Sequence, residues 1–176
     1  MARTAMGIST TQLSTWDGAA PPTPDEWRAL FQMPFGFIHV EPATINGPAK
    51  EWVYVYIDSA VAVPAGTPLF VFSATTDRCR PVLDTAQLDS PVIIGVTQQE
   101  FPPYSAGFVL RSGIGQCLIA GAGANFDLLT TPAGATPGEA DVHAAGSAAA
   151  APRGTFGYIV IGAGAGLVFV NLDCRG

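Results

Sequence analysis

Between Val61 and Ala120 short apolar runs alternate with glycine and proline at near-even intervals: AVAVPAGTPLFVFSA, then PVIIGVTQQE, then SAGFVLRSGIGQCLIAG. Each run is long enough for one strand and too short for a helix, and each is closed by a residue that favours a turn. The pattern predicts strands at residues 35–40 (FGFIHV) and at Trp52–Ile57, the second rich in the aromatic and β-branched side chains that suit a pleated surface. Asn46-Gly47 supplies the turn between them, and Pro64 with Gly66 supplies the next, leading into a strand at Leu69–Ser73. Residues 75–91 read as a polar excursion with room for one helical turn. Val92–Thr97 is again apolar, and Gly95 inside it signals a bulge or a close backbone approach. Gly107–Arg111 and Gln116–Ala120 are expected to pair as a hairpin across Ser112-Gly113-Ile114-Gly115. Phe126–Thr130 is a further strand, residues 132–151 are a long Ala- and Gly-rich surface loop with fragments of strand, and Thr155–Leu172 is a closing hairpin. About nine short strands predict an all-β fold, a single small sandwich or barrel.

Residues 1–34 follow a different rule. They are rich in Thr, Ala and Pro and lack periodicity up to Pro22, which predicts an extended N-terminal arm ahead of a β domain spanning residues 35–176. Within the arm, Thr23 as a cap, Pro24 at the first helical position and Glu26 completing a capping box predict one short helix over residues 24–32, ended by Pro34. Trp16, Trp27, Phe31, Met33 and Phe35 are large apolar residues in a segment too irregular to build its own core. They must be covered by the β body, a neighbouring subunit or a partner, and such residues are typical interface anchors. Trp16, Trp27, Phe31 and Met33 are therefore the candidate partner-binding residues.

Composition narrows the function classes. Of 176 residues 48% are hydrophobic and only 12% charged, so a lone monomer has little polar surface with which to cover itself, and subunit contacts are expected. The net charge is -6, Lys50 is the single lysine and the arginines are scattered. Phosphate-binding faces need clustered cations, so direct nucleic-acid binding is not expected. Arg78 and Arg80 beside Asp77 read as a solvated loop. The first twelve residues carry no apolar core of a secretory signal. The uncharged stretch from Gly154 to Leu172 reads as two β-type runs around a glycine-rich turn rather than as a membrane span.

Candidate chemistry is sparse. Cys79, Cys117 and Cys174 are an odd number at wide spacing, neither a disulfide framework nor a zinc pattern, and read as reduced, buried thiols. His39 lies in a strand-like run beside Phe37 and Val40. His143 follows Asp141 in a D-x-H arrangement with no third metal ligand nearby. Asp84, Asp89, Glu100, Asp127 and Asp173 sit in turn-like contexts without the pairing that glycoside hydrolysis requires. The glycine-rich pieces at 121–125 (GAGAN) and 162–166 (GAGAG) lack the lysine and following helix of a phosphate loop, and read as tight turns. No catalytic, cofactor-binding or metal-binding residue is assigned, and the expectation is a protein that is not an enzyme.

With these landmarks placed, the stretch from Trp52 to Ala120 resembles the head-decoration, or cement, proteins of tailed bacteriophages, with looser agreement in the C-terminal hairpin. The likeness is carried by the turn Gly66-Thr67-Pro68-Leu69, by Ile94-Gly95-Val96 and by the run from Gly107-Phe108-Val109 to Gly113. What the resemblance implies is a small, commonly trimeric β protein on the outside of an icosahedral head, made in the host cytoplasm. Its partners would be the major capsid protein and copies of itself, with neither membrane nor nucleic acid as a direct partner. The long aromatic arm and the Ala-rich loop at 132–151 depart from that pattern and leave the docking mode open. Two other readings stand beside it. A tail or surface glycan-binding module, adhesin-like, would place aromatics in exposed loops. A hydrolase on a β-barrel would show a deep pocket with converging acids.

Overall fold

The structure is a computed structural model that describes residues 10–11, 13–15, 26, 34–45, 47–73, 78–81, 92–131, 138–147, 154–162 and 164–174. Among these residues the chain is all-β, as its patterning predicts. In order the strands are β1 (Ser14–Thr15), β2 (Ile38–Glu41), β3 (Lys50–Ile57), β4 (Pro68–Ser73), β5 (Arg78–Pro81), β6 (Ile93–Val96), β7 (Ser105–Ile119), β8 (Leu128–Thr130), β9 (Asp141–His143), β10 (Gly157–Ile161) and β11 (Gly166–Asp173). Of the helix expected over residues 24–32 only Glu26 is described, so that expectation lies outside the described residues. From the arm, β1 pairs with the start of β7, Ser14 opposite Ala106 and Thr15 opposite Ser105.

Two sequence expectations are overturned here. Gly107–Arg111 and Gln116–Ala120 do not fold back on each other: they are the two halves of the 15-residue strand β7. The chain runs straight through because each half has a better partner. The first half pairs with β3 along Glu51–Ile57, and the second pairs with β11 over eight residues, from Ser112 opposite Asp173 to Ile119 opposite Gly166. Gly113, at φ 111°, bends the strand at the changeover instead of reversing it, and the β3 register slips between Glu51 and Trp52 at the same level. A side chain at Gly113 would stand 2.8 Å from the Ala49 carbonyl oxygen, so the bend needs both the dihedral and the space that glycine provides. The second correction concerns Arg78 and Arg80. They lie in strand β5, which pairs in parallel with the end of β3 and antiparallel with β4, and not in a loop.

The pairings close two rings on the shared strand β7. The first runs β3–β5–β4–β6–β7 and returns to β3. The second runs β7–β11–β10–β8–β9 and closes where Ala140 bridges Ile119, with Ala140 N–H donating to Leu118 O at 2.8 Å and Ala120 N–H to Ala140 O at 3.0 Å. Closure removes sheet edges and so withdraws backbone groups from further pairing.

Burial explains why β3 reads as a continuous apolar run: both of its faces are covered. Val53, Val55 and Ile57 join Leu69, Cys79, Val109, Val63 and Phe101 in a cluster confined to the first ring. Trp52, Tyr54 and Tyr56 point the other way, into a larger cluster that continues along β7 into the second ring through Leu110, Cys117, Ile119, Val168, Val170 and Ile159. The two rings therefore share the larger cluster and are expected to unfold together.

Turn chemistry locks the seam between them. Thr97, fully buried, accepts from Thr67 N–H at 2.9 Å and donates to Pro64 O at 2.7 Å, fixing the turn that Pro64 and Gly66 announce in the sequence. Gln98 then acts as a one-residue strand: its amide oxygen accepts from Gln116 N–H at 2.9 Å and its amide nitrogen donates to Gln116 O at 3.0 Å. Gly115 makes room for this, since a side chain there would meet Gln98 Oε1 at 2.6 Å.

Candidate interaction surface

Trp16, Trp27, Phe31 and Met33, the residues singled out in the arm, all lie outside the described residues. The described flanks of that segment are both tied to the β3–β7 pair. Leu13 packs on the smaller cluster, Gly36 N–H donates to Tyr54 O at 2.8 Å, and Phe35 stacks on Tyr54 with ring centres 6.0 Å apart. Phe37 and His39 follow on the same side and meet Phe108 edge-on at 6.4 and 6.2 Å. Burial raises the Tyr54 phenol above its ordinary value, against a smaller lowering by its hydrogen bond with Ser14. Phe35, which the sequence left in need of cover, thus packs on its own β body, and His39 is a half-buried member of an aromatic cluster.

A second apolar surface lies on the other ring, and the sequence reading did not locate it. In β11 the burial alternates: Val168, Val170 and Leu172 face the core, while Leu167, Phe169 and Asn171 face outward. Registers carry that outer face across its neighbours. Tyr158 lies opposite Asn171 on β10 and accepts its side-chain N–H at 2.9 Å, Ile161 lies opposite Phe169, and on β7 Ile114 and Leu118 lie opposite Asn171 and Leu167. Phe126 extends the surface, its ring 6.3 Å from that of Tyr158. Six of these side chains are exposed: Ile114, Phe126, Tyr158, Ile161, Leu167 and Phe169. A shallow groove borders the face, lined by Leu128, Phe156, Tyr158, Asn171 and Asp173.

Phe126 is held there by its loop. Its φ of 70° is a left-handed conformation that a bulky residue rarely adopts. Phe126 N–H donates to Ile159 O at 2.7 Å, and the Asp127 carboxylate accepts from Ala124 N–H at 2.8 Å and from Ala145 N–H at 2.9 Å, joining two loops. The glycine-rich pieces at 121–125 and 162–166 meet in the same place. Gly162 N–H donates to Asn125 Oδ1 at 2.6 Å, and a side chain at Gly162 would stand 2.7 Å from Gly123 O. The contact is confined to residues 123–125 and Gly162, since a side chain at Gly121 or Gly164 would meet nothing within 4 Å.

These two amide bonds hold the Asp127 carboxyl below the usual carboxylate range, the Ala124 bond contributing most and the nearby His143 adding a small lowering. A group whose folded value is depressed contributes stability above its unfolded value and loses it as pH falls through the folded one. The loop clasp is therefore expected to be intact at neutral pH and to open only below about pH 4. Amide exchange at Ala124 and Ala145 reads this directly: protection is expected to fall in that acid window in the natural chain, and to be low already at neutral pH in Asp127→Ala. Equal protection in both proteins at neutral pH would contradict the clasp.

The remaining chemistry-bearing residues are dispersed. His143 and Asp141 share β9, half-buried, with Asp141 opposite Thr130 and His143 opposite Leu128. Glu100 and Asp173 are exposed, and Asp84 and Asp89 lie outside the described residues. Among the described residues no three His, Cys, Asp or Glu side chains come together as a metal site. All three cysteines are buried, as expected. Burial pushes the Cys174 thiol up to about 12, with the Asp173 charge adding to it, and raises Cys117 further still. Such thiols are poor nucleophiles. Among the described residues no helix is long and apolar enough to cross a membrane.

No family model and no curated protein matches the chain. Among solved structures it is similar to the head fiber gp8.5 N base of bacteriophage phi29, at 16% sequence identity and a TM-score of 0.46, over 70% of this chain and 95% of that one.

Proposed function

We propose that this chain is a non-enzymatic structural protein of a tailed-phage virion, a cement protein that sits on the outside of the icosahedral head and ties coat subunits together. The observation that carries the reading is the broad apolar surface on a rigid, doubly closed β body, in a chain whose core motifs resemble head-decoration proteins. The resembling landmarks occupy structural positions: Gly66-Thr67-Pro68-Leu69 is the turn into β4, Ile94-Gly95-Val96 is the body of β6, and Gly107 to Gly113 is the first half of β7. Rigid strands with little charge favour docking on a large apolar partner over reshaping around a small ligand. In this reading the arm residues Trp16, Trp27, Phe31 and Met33 make the coat contacts, and several copies acting together, as a trimer does, convert weak single contacts into firm attachment.

The test is to mix the purified chain with empty heads of the phage that carries its gene, assembled without it, and sediment them. The chain is expected to travel with the heads, and Trp16→Ala combined with Trp27→Ala to reduce bound protein at least about tenfold. Because β1 and Leu13 belong to the folded body, these point substitutions are a cleaner probe than deletion of the arm. Recovery of the natural chain entirely in the supernatant would overturn the proposal.

A further inference from the structure

We infer that the outer face of β7, β11 and β10 is a self-association surface, occupied by a second copy of this chain. It rests on three observations. First, the face is continuous and large. Ile114, Phe126, Tyr158, Ile161, Leu167 and Phe169 are between 36% and 67% exposed and adjoin one another through strand register and ring contact. Together they offer roughly 600 Å², most of the ~800 Å² that each partner contributes to a stable interface and at the upper end of what monomers leave uncovered. Second, its centre is free of charge. The strand segments Gly113–Ile119, Gly157–Ile161 and Gly166–Leu172 contain no Asp, Glu, Lys, Arg or His. Two copies that each carry -6 repel at a distance, and because the acids of this face, Asp173 at the end of β11 and Asp127 beside Phe126, stand at its rim, its centre can meet a second copy without placing like charges opposite one another. Third, the face is preorganised. Asn171 fixes the Tyr158 hydroxyl, and the Asp127 clasp and the Phe126–Ile159 backbone bond present the Phe126 ring. A side chain that is already ordered loses less freedom on docking.

A second copy suits this face better than the chain's own arm. The flanks of residues 16–33 are anchored at Thr15, opposite Ser105, and at Gly36, bonded to Tyr54, which lies opposite Phe108. Both anchors are at the far end of β7 from Ile114 and Leu118.

The inference adds to the proposed function the surface through which copies join, and it can fail separately. Sedimentation velocity of the full chain over a concentration series is expected to show a mass that is a multiple of the 18.2 kDa protomer. Phe169→Glu, and independently Ile161→Lys, are expected to raise the dissociation constant at least about 100-fold while leaving the circular dichroism spectrum unchanged. Ile45→Lys, fully exposed and outside this face, is expected to associate like the natural chain. A natural chain that stays monomeric would overturn the inference, whether the face is bare or covered by the arm. So would association that survives both Phe169→Glu and Ile161→Lys. A chain that self-associates through this face yet ignores phage heads would leave the inference standing and remove the cement reading. A monomer that binds heads would do the reverse.

Discussion

Gly95→Ala is expected to destabilise the fold by about 3 kcal/mol, at the upper end of what one added methyl costs in a packed interior. The cause is space. A side chain at Gly95 would stand 2.7 Å from Val109 Cγ2 and 2.9 Å from the Leu110 carbonyl oxygen, and the second of these is backbone in the strand that both rings share. Val109 can turn aside; Leu110 O cannot move without disturbing the one register pair, Val96 with Leu110, that joins β6 to β7. Against a typical total stability of about 5–15 kcal/mol the loss is large. Gly121→Ala is the control, because nothing lies within 4 Å of a side chain there. It is expected to change stability by less than about 0.5 kcal/mol. Urea denaturation of the three proteins measures both, and equal midpoints for Gly95→Ala and Gly121→Ala would contradict the close approach of β6 and β7.

Phe101→Ala is expected to cost about 3–5 kcal/mol. Phe101 is fully buried. It exchanges backbone bonds with Val63 at 2.8 and 2.9 Å, and its ring packs beneath Gly107, where a side chain would meet it at 3.0 Å. With Val63 and Leu13 it covers the smaller core cluster. Removing the ring leaves a cavity in a cluster whose Val53, Val55, Ile57, Leu69 and Val109 lie on strands fixed in the sheet, so little collapse can offset the loss. A loss below about 1 kcal/mol would mean that the cluster is not closed by this residue.

These two sites mark how far the sequence could be read. Gly95 was legible, because a glycine inside an apolar run has few explanations other than a bulge or a near neighbour. The structure shows both: β4 and β6 slip register between Leu69 and Phe70, and β7 passes close by. Phe101 was not legible. It sits between Glu100 and two prolines, in what pattern alone assigns to a turn, and its burial depends on a partner 38 residues earlier that also lies in a turn. Strand β5 was hidden for a related reason, since Arg-Cys-Arg-Pro carries the polarity of a loop while its backbone completes a ring. The misread hairpin at Gly113 shows the limit of turn signals: glycine permits a reversal, but eight pairs to β11 and seven to β3 decide the path.

The outer face escaped for a different reason. In GLVFVNL the inward and outward residues are nearly all apolar, so alternation gives no contrast from which to tell the core side from the other. Composition carried the only trace, an excess of hydrophobic over charged residues that a monomer of this size has difficulty covering. Of the large side chains that the sequence leaves in need of cover between Trp16 and Phe35, Phe35 lies among the described residues, and it packs on Tyr54 and Tyr56.

The proposed cement role has a mechanical consequence that one measurement reads directly. DNA-filled heads lacking this chain are to be heated with and without saturating purified protein, and the temperature of DNA release recorded. The account predicts release at a higher temperature when the chain is present, with the chain retained on the heads throughout. An unchanged release temperature, on heads that demonstrably carry the chain, would contradict it.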